Sequence, residues 1–428
     1  MTAFLLISTG ILLLIAVPIG MAMGTASLLT ILQGGTLNAL IITQKLLSGV
    51  SKFSLLAIPM FTLAGEVMTL GGVSDKLIYL ANRVVGRFKG GLSMVTTLAC
   101  MFFGAISGSA TATAAAIGGI MVEPMEKAGY KKEYTAAVIA SSGLLGLIIP
   151  PSGTMLMYAI VADVSVLEMF TGGIIPGIIM GLSLMVVEYF RAKRNGYGTS
   201  ELDIAEFHTQ SKAKIVIQSF LALLSPVIIL GGIYSGKFTA TEAAGVSVLY
   251  GFIIGYFVFK QLNIKKAYEA CVKTGVSTSM ILFLIGAAAV FGWMLTMQQI
   301  PNQIVAAISG ITNSPAVVLL LVNLALFVAG ALLDNVAAIT LLTPVLVPLI
   351  SAYGIDKTFF GIIMINLSIG QITPPIGMNL FVSSSICEVR LEKVIRQVLP
   401  FLAVLIVDLF LFTYIPGIVT VLPNALLH

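Results

Sequence analysis

Residues Phe103 to Thr113 read FGAISGSATAT, and Gly330 to Ala337 read GALLDNVA. Both stretches lie inside long apolar regions, and both place glycine and small hydroxyl or amide residues where a membrane helix would otherwise run on. A helix interrupted in lipid leaves backbone groups that no water can satisfy, so the break persists only where protein, an ion or a solute fills it. About 40 residues after each comes a second interruption, Ile149-Pro150-Pro151-Ser152-Gly153-Thr154 and Ile372-Thr373-Pro374-Pro375-Ile376-Gly377-Met378-Asn379. Four breaks in two matched pairs read as a transport site.

The rest of the chain fits a membrane setting. Of 428 residues 58% are hydrophobic and 10% charged, and the mean hydropathy is +1.06, outside the range of soluble domains. The fold class is an all-α polytopic membrane protein. The net charge of +5 sits in short loops, as the positive-inside rule requires, which argues against nucleic-acid binding. Cys100, Cys271 and Cys387 are far apart and form no CxxC, and the histidines are His208 and His428. Neither a disulfide framework nor a histidine-based metal or catalytic centre is expected from these. The apolar start runs on without a basic leader or an A-x-A site, so no cleavable signal is expected.

Spans of bilayer length are read at Ala3 to Gly24, Phe53 to Leu70, Tyr134 to Asp163, Val166 to Phe190, Ile215 to Tyr234, Thr239 to Phe259, Gly275 to Met297, Phe359 to Cys387 and Val398 to Ile415. Thr36 to Phe53 reads as an amphipathic arm along the interface. A basic connector carries Lys76, Arg83, Arg87 and Lys89, and Lys127, Lys131 and Lys132 follow Met125, so Gly91 to Met125 enters and leaves on the cytoplasmic side as a re-entrant hairpin. Pro315 to Ile350 is the second hairpin, and the polar linker Asn195 to Ser211 lies inside. These readings place the N-terminus in the cytoplasm and the C-terminus outside. The segments are a scaffold span, arm and second span over 1–90, a first repeat core over 91–190, the linker and central scaffold spans over 191–274, and a second repeat over 275–428.

At a fixed offset of 224 residues Pro124 falls on Pro348, Gly146 on Gly370, Pro150 and Pro151 on Pro374 and Pro375, Gly153 on Gly377, and Pro176 on Pro400. Five crossings separate equivalent points. Five is odd, so the repeats are inverted, with the site expected at their interface near mid-bilayer.

At each break an incoming half-helix ends in free carbonyls and an outgoing one begins with free N–H groups, suited to cations and carboxylates respectively. Ser107, Ser109 and Thr111 are placed to cap the outgoing half of hairpin one, Asp334 and Asn335 that of hairpin two, and Ser152 and Thr373 the half-helices after the other breaks. Hard oxygen ligands favour Na⁺ over a transition metal.

SGSATATAAAIGG, the paired IPPSGT and TPPIGMN motifs and the basic linkers resemble the large membrane subunit of tripartite ATP-independent periplasmic (TRAP) transporters over nearly the whole chain. The resemblance implies an elevator-type fold driven by Na⁺ in the bacterial inner membrane. It also implies a small four-helix membrane subunit, separate because this chain begins at the large subunit's first span, and a periplasmic binding protein that delivers an organic acid such as sialic acid or a C4-dicarboxylate. One sodium site would fall at Ser107, Gly108, Ser109, Gly146 and Pro150. The other would fall at Gly330, Asp334, Thr373, Gly377 and Met378, with substrate between the tips at Thr111, Thr113, Ser152, Thr154, Asn335 and Asn379. Hairpin two has Asp-Asn where hairpin one has Ala-Thr, so equal sodium affinities are not expected.

Blander roles stand beside these. Small residues in membrane helices also serve close packing, and Asp334 can cap its helix and nothing more. Glu66, Glu123, Asp163, Glu188 and Asp408 lie near predicted span ends and are read as interfacial. The rival functions are a stand-alone sodium-coupled anion transporter and a channel. An enzyme is disfavoured, because no nucleophile, base and orienting group stand at workable spacing.

Overall fold

The computed structural model describes residues 2–35, 38, 40–197 and 212–427, so most of the linker Asn195 to Ser211, including His208, lies outside the described residues. The described residues are helical throughout, with no strand. Eight helices are long and apolar enough to cross a bilayer and a bent pair makes a ninth, two of the eight being the arms of hairpin two.

The chain does not open with one span. Helix α1 (Thr2–Leu14) and α2 (Ile19–Gly34) are separate. At 1.5 Å per residue they reach about 20 and 24 Å, short of a ~30 Å hydrocarbon core. Proline disfavours helix at the residue before it, and ahead of Pro18 the chain turns: Val17 donates to Leu12 O and Ala16 to Leu13 O, with Ala16 at φ 61°. This is a Schellman turn. The two helices pack on each other and bury Leu5, Met23 and Ala26 against Ala287, Ala288 and Phe291.

Helix α3 (Leu40–Val50) is the amphipathic arm. It lies across the later helix Ile264–Met297, where Gly286 meets Leu46 and Val50, and Lys45 covers the Trp293 ring. A 3₁₀ turn leads into α4 (Ala57–Leu70), and the connector expected next is itself helix α5 (Val73–Val85), which buries Leu77, Ile78 and Ala81.

Hairpin one is α6 (Gly91–Ser107) and α7 (Ala110–Lys127). The first broken helix is α8 (Lys132–Gly143), α9 (Leu145–Ile148) and α10 (Gly153–Ala162), bent by 41°. Helix α11 (Val166–Asn195) completes the repeat. Helices α12 (Lys212–Tyr234) and α13 (Ala240–Ile253) lead to α14 (Ile264–Met297) and α15 (Ile300–Ser309). Hairpin two is α16 (Pro315–Leu332) and α17 (Asn335–Ala352), followed by the second broken helix, α18 (Lys357–Ile363), α19 (Asn366–Gly370) and α20 (Met378–Ile386). Helix α21 (Leu391–Tyr414) matches α11, and a short α22 (Gly417–Leu427) packs back on α11.

Glycine contacts hold each hairpin to its own broken helix. A Cβ on Gly104 would stand 2.8 Å from Gly146 Cα, and one on Gly370 2.5 Å from Gly330 Cα. Gly146 and Gly370 are equivalent positions of the repeat. The outgoing arms cross over, α7 packing on α20 and α17 on α10, so each repeat completes the other. Around this pair α4 packs on α13 and α14, and α5 on α12.

Two carboxylates read as interfacial are inside. Glu188 is fully buried and accepts a short hydrogen bond from Thr97, and Asp408 is 5% exposed and accepts from Ser183 Oγ at 2.5 Å. Position along a span gives depth, not the face a side chain takes. Glu123 is exposed beside Lys127, and Asp163 is exposed, as expected.

Candidate functional site

Both hairpin tips and both breaks wall one cavity of about 580 Å³, within the usual size for a small-molecule site. Tip one is built by hydroxyls. Gly108, at φ 60°, ends α6, and extended Ser109 begins α7 by accepting from Ala112 N at 3.4 Å. Ser107 and Thr113 share a hydrogen bond of 2.7 Å, Thr113 donates to Ser109 O at 2.7 Å, and Thr111 bonds Ser109 Oγ at 3.3 Å. Gly153 N donates to Gly108 O at 3.2 Å, fastening this tip to the first residue of α10. At the adjoining break Leu147 O accepts from Ser152 at 2.5 Å and Thr154 at 3.0 Å, and Ser152 also caps α10 through Met155 N.

Tip two is different. Asp334 caps α17 by accepting from Val336 N at 3.0 Å, and Asn335 donates to Ser368 Oγ at 3.0 Å. Asn335 Oδ1 and Gln371 Oε1 are buried without partners among the described residues. A buried acceptor left unpaired costs about 1–3 kcal/mol, and both residues line the same cavity as Asp334, with hard oxygens of the kind that suit a cation such as Na⁺. No cluster of three His, Cys, Asp or Glu side chains suited to a metal occurs among the described residues, so Asp334 would supply the only formal charge in that set.

Of the candidates read from sequence, Ser107, Gly108, Ser109, Thr111, Thr154, Asp334, Asn335 and Met378 line the cavity. The others sit behind the wall. Gly146 lies directly under tip one, where a Cβ would stand 2.5 Å from Ser109 O, and Gly330 lies against Leu367 and Gly370. Thr113 and Ser152 are buried and spent on the bonds above. Asn379 is buried and donates to Ala140 O at 3.1 Å, tying α20 to α8. Thr373 does not cap α20: its hydroxyl returns to Ile369 O at 3.0 Å, and Gly377, at φ 55°, takes the cap position. Both Pro150-Pro151 and Pro374-Pro375 are cis.

The cavity lining also includes polar residues outside that candidate set. Gln371 closes the helix before the second break, where the equivalent position in repeat one is Leu147. Glu66, placed at the interface from sequence, lines the cavity on α4 with Thr62, Gly65 and Thr69, opposite the tips. The signal was present: 62, 65, 66 and 69 fall on one face of a helix, a polar stripe on an otherwise apolar span. A Cβ on Gly65 would stand 3.2 Å from Ser107 Cα, so α4 passes in contact with tip one.

Comparison with known proteins bears on this arrangement. Residues 6–418 match the family described as tripartite ATP-independent periplasmic transporter, DctM component. The C4-dicarboxylate TRAP transporter large permease protein DctM of Pseudomonas aeruginosa is 39% identical over 94% of each chain. The isethionate TRAP transporter permease protein DctMQ of Oleidesulfovibrio alaskensis is 38% identical over 95% of this chain, which spans 64% of that relative's length. The crystal structure of the Alcanivorax borkumensis YdaH transporter, described as having an unusual topology, shares the fold with a TM-score of 0.62 over 88% of each chain at 16% identity.

Proposed function

The chain belongs to the DctM component family of tripartite ATP-independent periplasmic transporters, and on that premise we propose that it is the large permease subunit of a sodium-driven importer of an organic acid. It is a multi-pass membrane transport protein and not an enzyme. Membership implies a small membrane subunit and a periplasmic binding protein. In the proposal the former is a four-helix chain and the latter hands the substrate over at the outer face of the inner membrane. The N-terminus lies in the cytoplasm and the C-terminus in the periplasm. The substrate is a carboxylate or related acid, of the class that sialic acid and C4-dicarboxylates exemplify.

The observation that carries this reading is the shared cavity, which has oxygen acceptors at tip two and helix N-termini at both tips. Asp334, Asn335 Oδ1 and Gln371 Oε1 receive the cation, and the first N–H groups of α7 face the acid group with the positive end of the helix dipole, those of α17 being taken up by the Asp334 carboxylate. The hairpins and broken helices interlock as one body, which would slide past α4 as an elevator with Gly65 giving clearance at Ser107.

The test is uptake into proteoliposomes by the chain with its partner subunits under an imposed sodium gradient. Asp334→Ala is expected to raise the half-saturating sodium concentration at least tenfold, about 1.4 kcal/mol. Unchanged sodium activation would remove Asp334 from coupling. Uptake of free substrate by this chain alone would instead support a stand-alone sodium-coupled anion transporter, and flux without saturation a channel.

A further inference from the structure

A second cavity, of about 440 Å³, opens at the ends of α8, α11 and α21 that the positive-inside reading places in the cytoplasm. Lys131, Arg191 and Arg194 bring three cations to its wall, with Tyr134, Tyr197 and Gln397 and, among the described residues, no carboxylate. The described acidic residues nearby pair with other groups. Glu133 pairs with Lys393 at 3.3 Å, Glu126 with Lys132 at 3.1 Å, and Glu188, one turn earlier on α11, accepts from Thr97. Arg191 is partly buried. It donates to Gln397 O at 2.6 Å and to Gln397 Oε1, and its guanidinium lies over the rings of Tyr134 and Phe401. Among the described residues none of the three cations has an ion pair.

A guanidinium held by neutral partners in a partly dehydrated site attracts an anion, and a fork of arginines with a lysine matches the oxygens of a phosphate. The surroundings indicate where that phosphate comes from. Phe190, Val186 and Leu182 stand four residues apart on α11 and are all exposed, as are Leu399, Ala403 and Val407 on α21. Two outward apolar stripes therefore leave the pocket along helices that pack on each other. We propose that the pocket binds the phosphate headgroup of an anionic phospholipid in the cytoplasmic leaflet, with its acyl chains lying along these stripes. Such a lipid clamps the third helix of one repeat to the third helix of the other, across the contact that Arg191 and Gln397 already make.

The test uses the full purified chain, stripped of lipid in detergent, with cardiolipin, phosphatidylcholine or inorganic phosphate added in separate arms. The unfolding midpoint and the lipid retained in native mass spectrometry are read in each. Cardiolipin is expected to raise the midpoint by several degrees and to stay bound, while phosphatidylcholine and phosphate do neither. Lys131 and Arg194 are both exposed, so the double variant K131Q/R194Q should keep the fold of the lipid-free chain and lose the cardiolipin shift, whereas K265Q on another loop keeps it. Equal protection by phosphatidylcholine, or a full cardiolipin shift in K131Q/R194Q, overturns the proposal. Equal protection by inorganic phosphate overturns it too, and reassigns the pocket to a soluble anion. None of these outcomes bears on sodium coupling.

Discussion

Hairpin one closes its tip with serine and threonine hydroxyls that bond one another and the local carbonyls, so that the hydroxyls of Ser107, Ser109, Thr111 and Thr113 all have partners. Hairpin two closes with a carboxylate and an amide, and among the described residues Asn335 Oδ1 at this tip and Gln371 Oε1 at the neighbouring break have no partner. The backbone plan is repeated, down to a Gly-Gly contact between hairpin and broken helix in each half, while the chemistry is not. A tip whose hydroxyls bond one another has little side-chain capacity left for a ligand. A tip with a carboxylate and an unpartnered amide oxygen keeps acceptor capacity. On the proposed reading repeat one supplies shape and repeat two the affinity for sodium, and substituting equivalent positions should expose the division.

The largest effect belongs to the glycines. A Cβ on Gly370 meets Gly330 Cα at 2.5 Å and Ala331 N at 2.7 Å, all backbone. Overpacking a well-filled interior costs about 1–3 kcal/mol when side chains can yield, and here no side chain can. Gly370→Ala should abolish uptake and lower the unfolding midpoint. Gly146→Ala meets backbone too, Ser109 O at 2.5 Å, but its nearest backbone atom is farther than the 2.2 Å to Gly330 C at Gly370, so it should also impair uptake, with a smaller loss of stability. The reverse order would mean that tip one, not tip two, is the more tightly seated.

Next come the equivalent cavity residues Asn335 and Thr111. Asn335→Ala removes an unpartnered oxygen from the charged tip and should raise the half-saturating sodium concentration about tenfold, or ~1.4 kcal/mol. Thr111 gives up only its bond to Ser109 Oγ, and Thr111→Ala should change sodium dependence by no more than about twofold, within a typical neutral hydrogen bond. Sodium titrations of uptake on both variants decide it, and equal shifts would erase the division between the tips.

Sequence revealed the hairpins, both breaks and the repeat, because glycine and paired prolines inside apolar runs are forbidden locally unless structure elsewhere pays for them. It revealed less where a choice depends on the neighbours. Pro18 ends a helix, yet Pro176, Pro226 and Pro400 lie inside α11, α12 and α21, and nothing local separates the cases. Glu66, Glu188 and Asp408 were placed by depth along a span, whereas burial depends on which helix packs against that face. Thr113 and Ser152 have the residue types of a ligand site, but their partners are carbonyls or hydroxyls brought up by the fold, while Asn379 donates to Ala140 O and its Oδ1 has no partner among the described residues. Thr373 yielded the cap to Gly377 because the chain after Pro375 turns left-handed there.

The smallest expected difference lies behind the tips, where a buried polar chain ties the same three helices together in each repeat. In repeat one Glu188 of α11 accepts from Thr97 of α6, which bonds Ser142 of α8 at 2.5 Å. In repeat two Asn323 of α16 donates to Thr413 of α21 at 2.9 Å and accepts from Asn366 of α19 at 3.1 Å. Thr413→Val removes one interhelical bond between neutral groups and the hydroxyl's bond to Leu409 O within its own helix, and interhelical bonds of this kind average about 0.6 kcal/mol, a shift of a degree or two in the unfolding midpoint. Thr97→Val takes away the hydrogen bond of a fully buried carboxyl group whose other oxygen already lacks a partner, and leaving such a group unpaired costs about 1–3 kcal/mol. Thermal unfolding of the two variants in the same detergent should therefore rank Thr97→Val below Thr413→Val. Equal midpoints would show that Glu188 finds another partner when Thr97 is gone, and that the asymmetry of the repeats is confined to the tips.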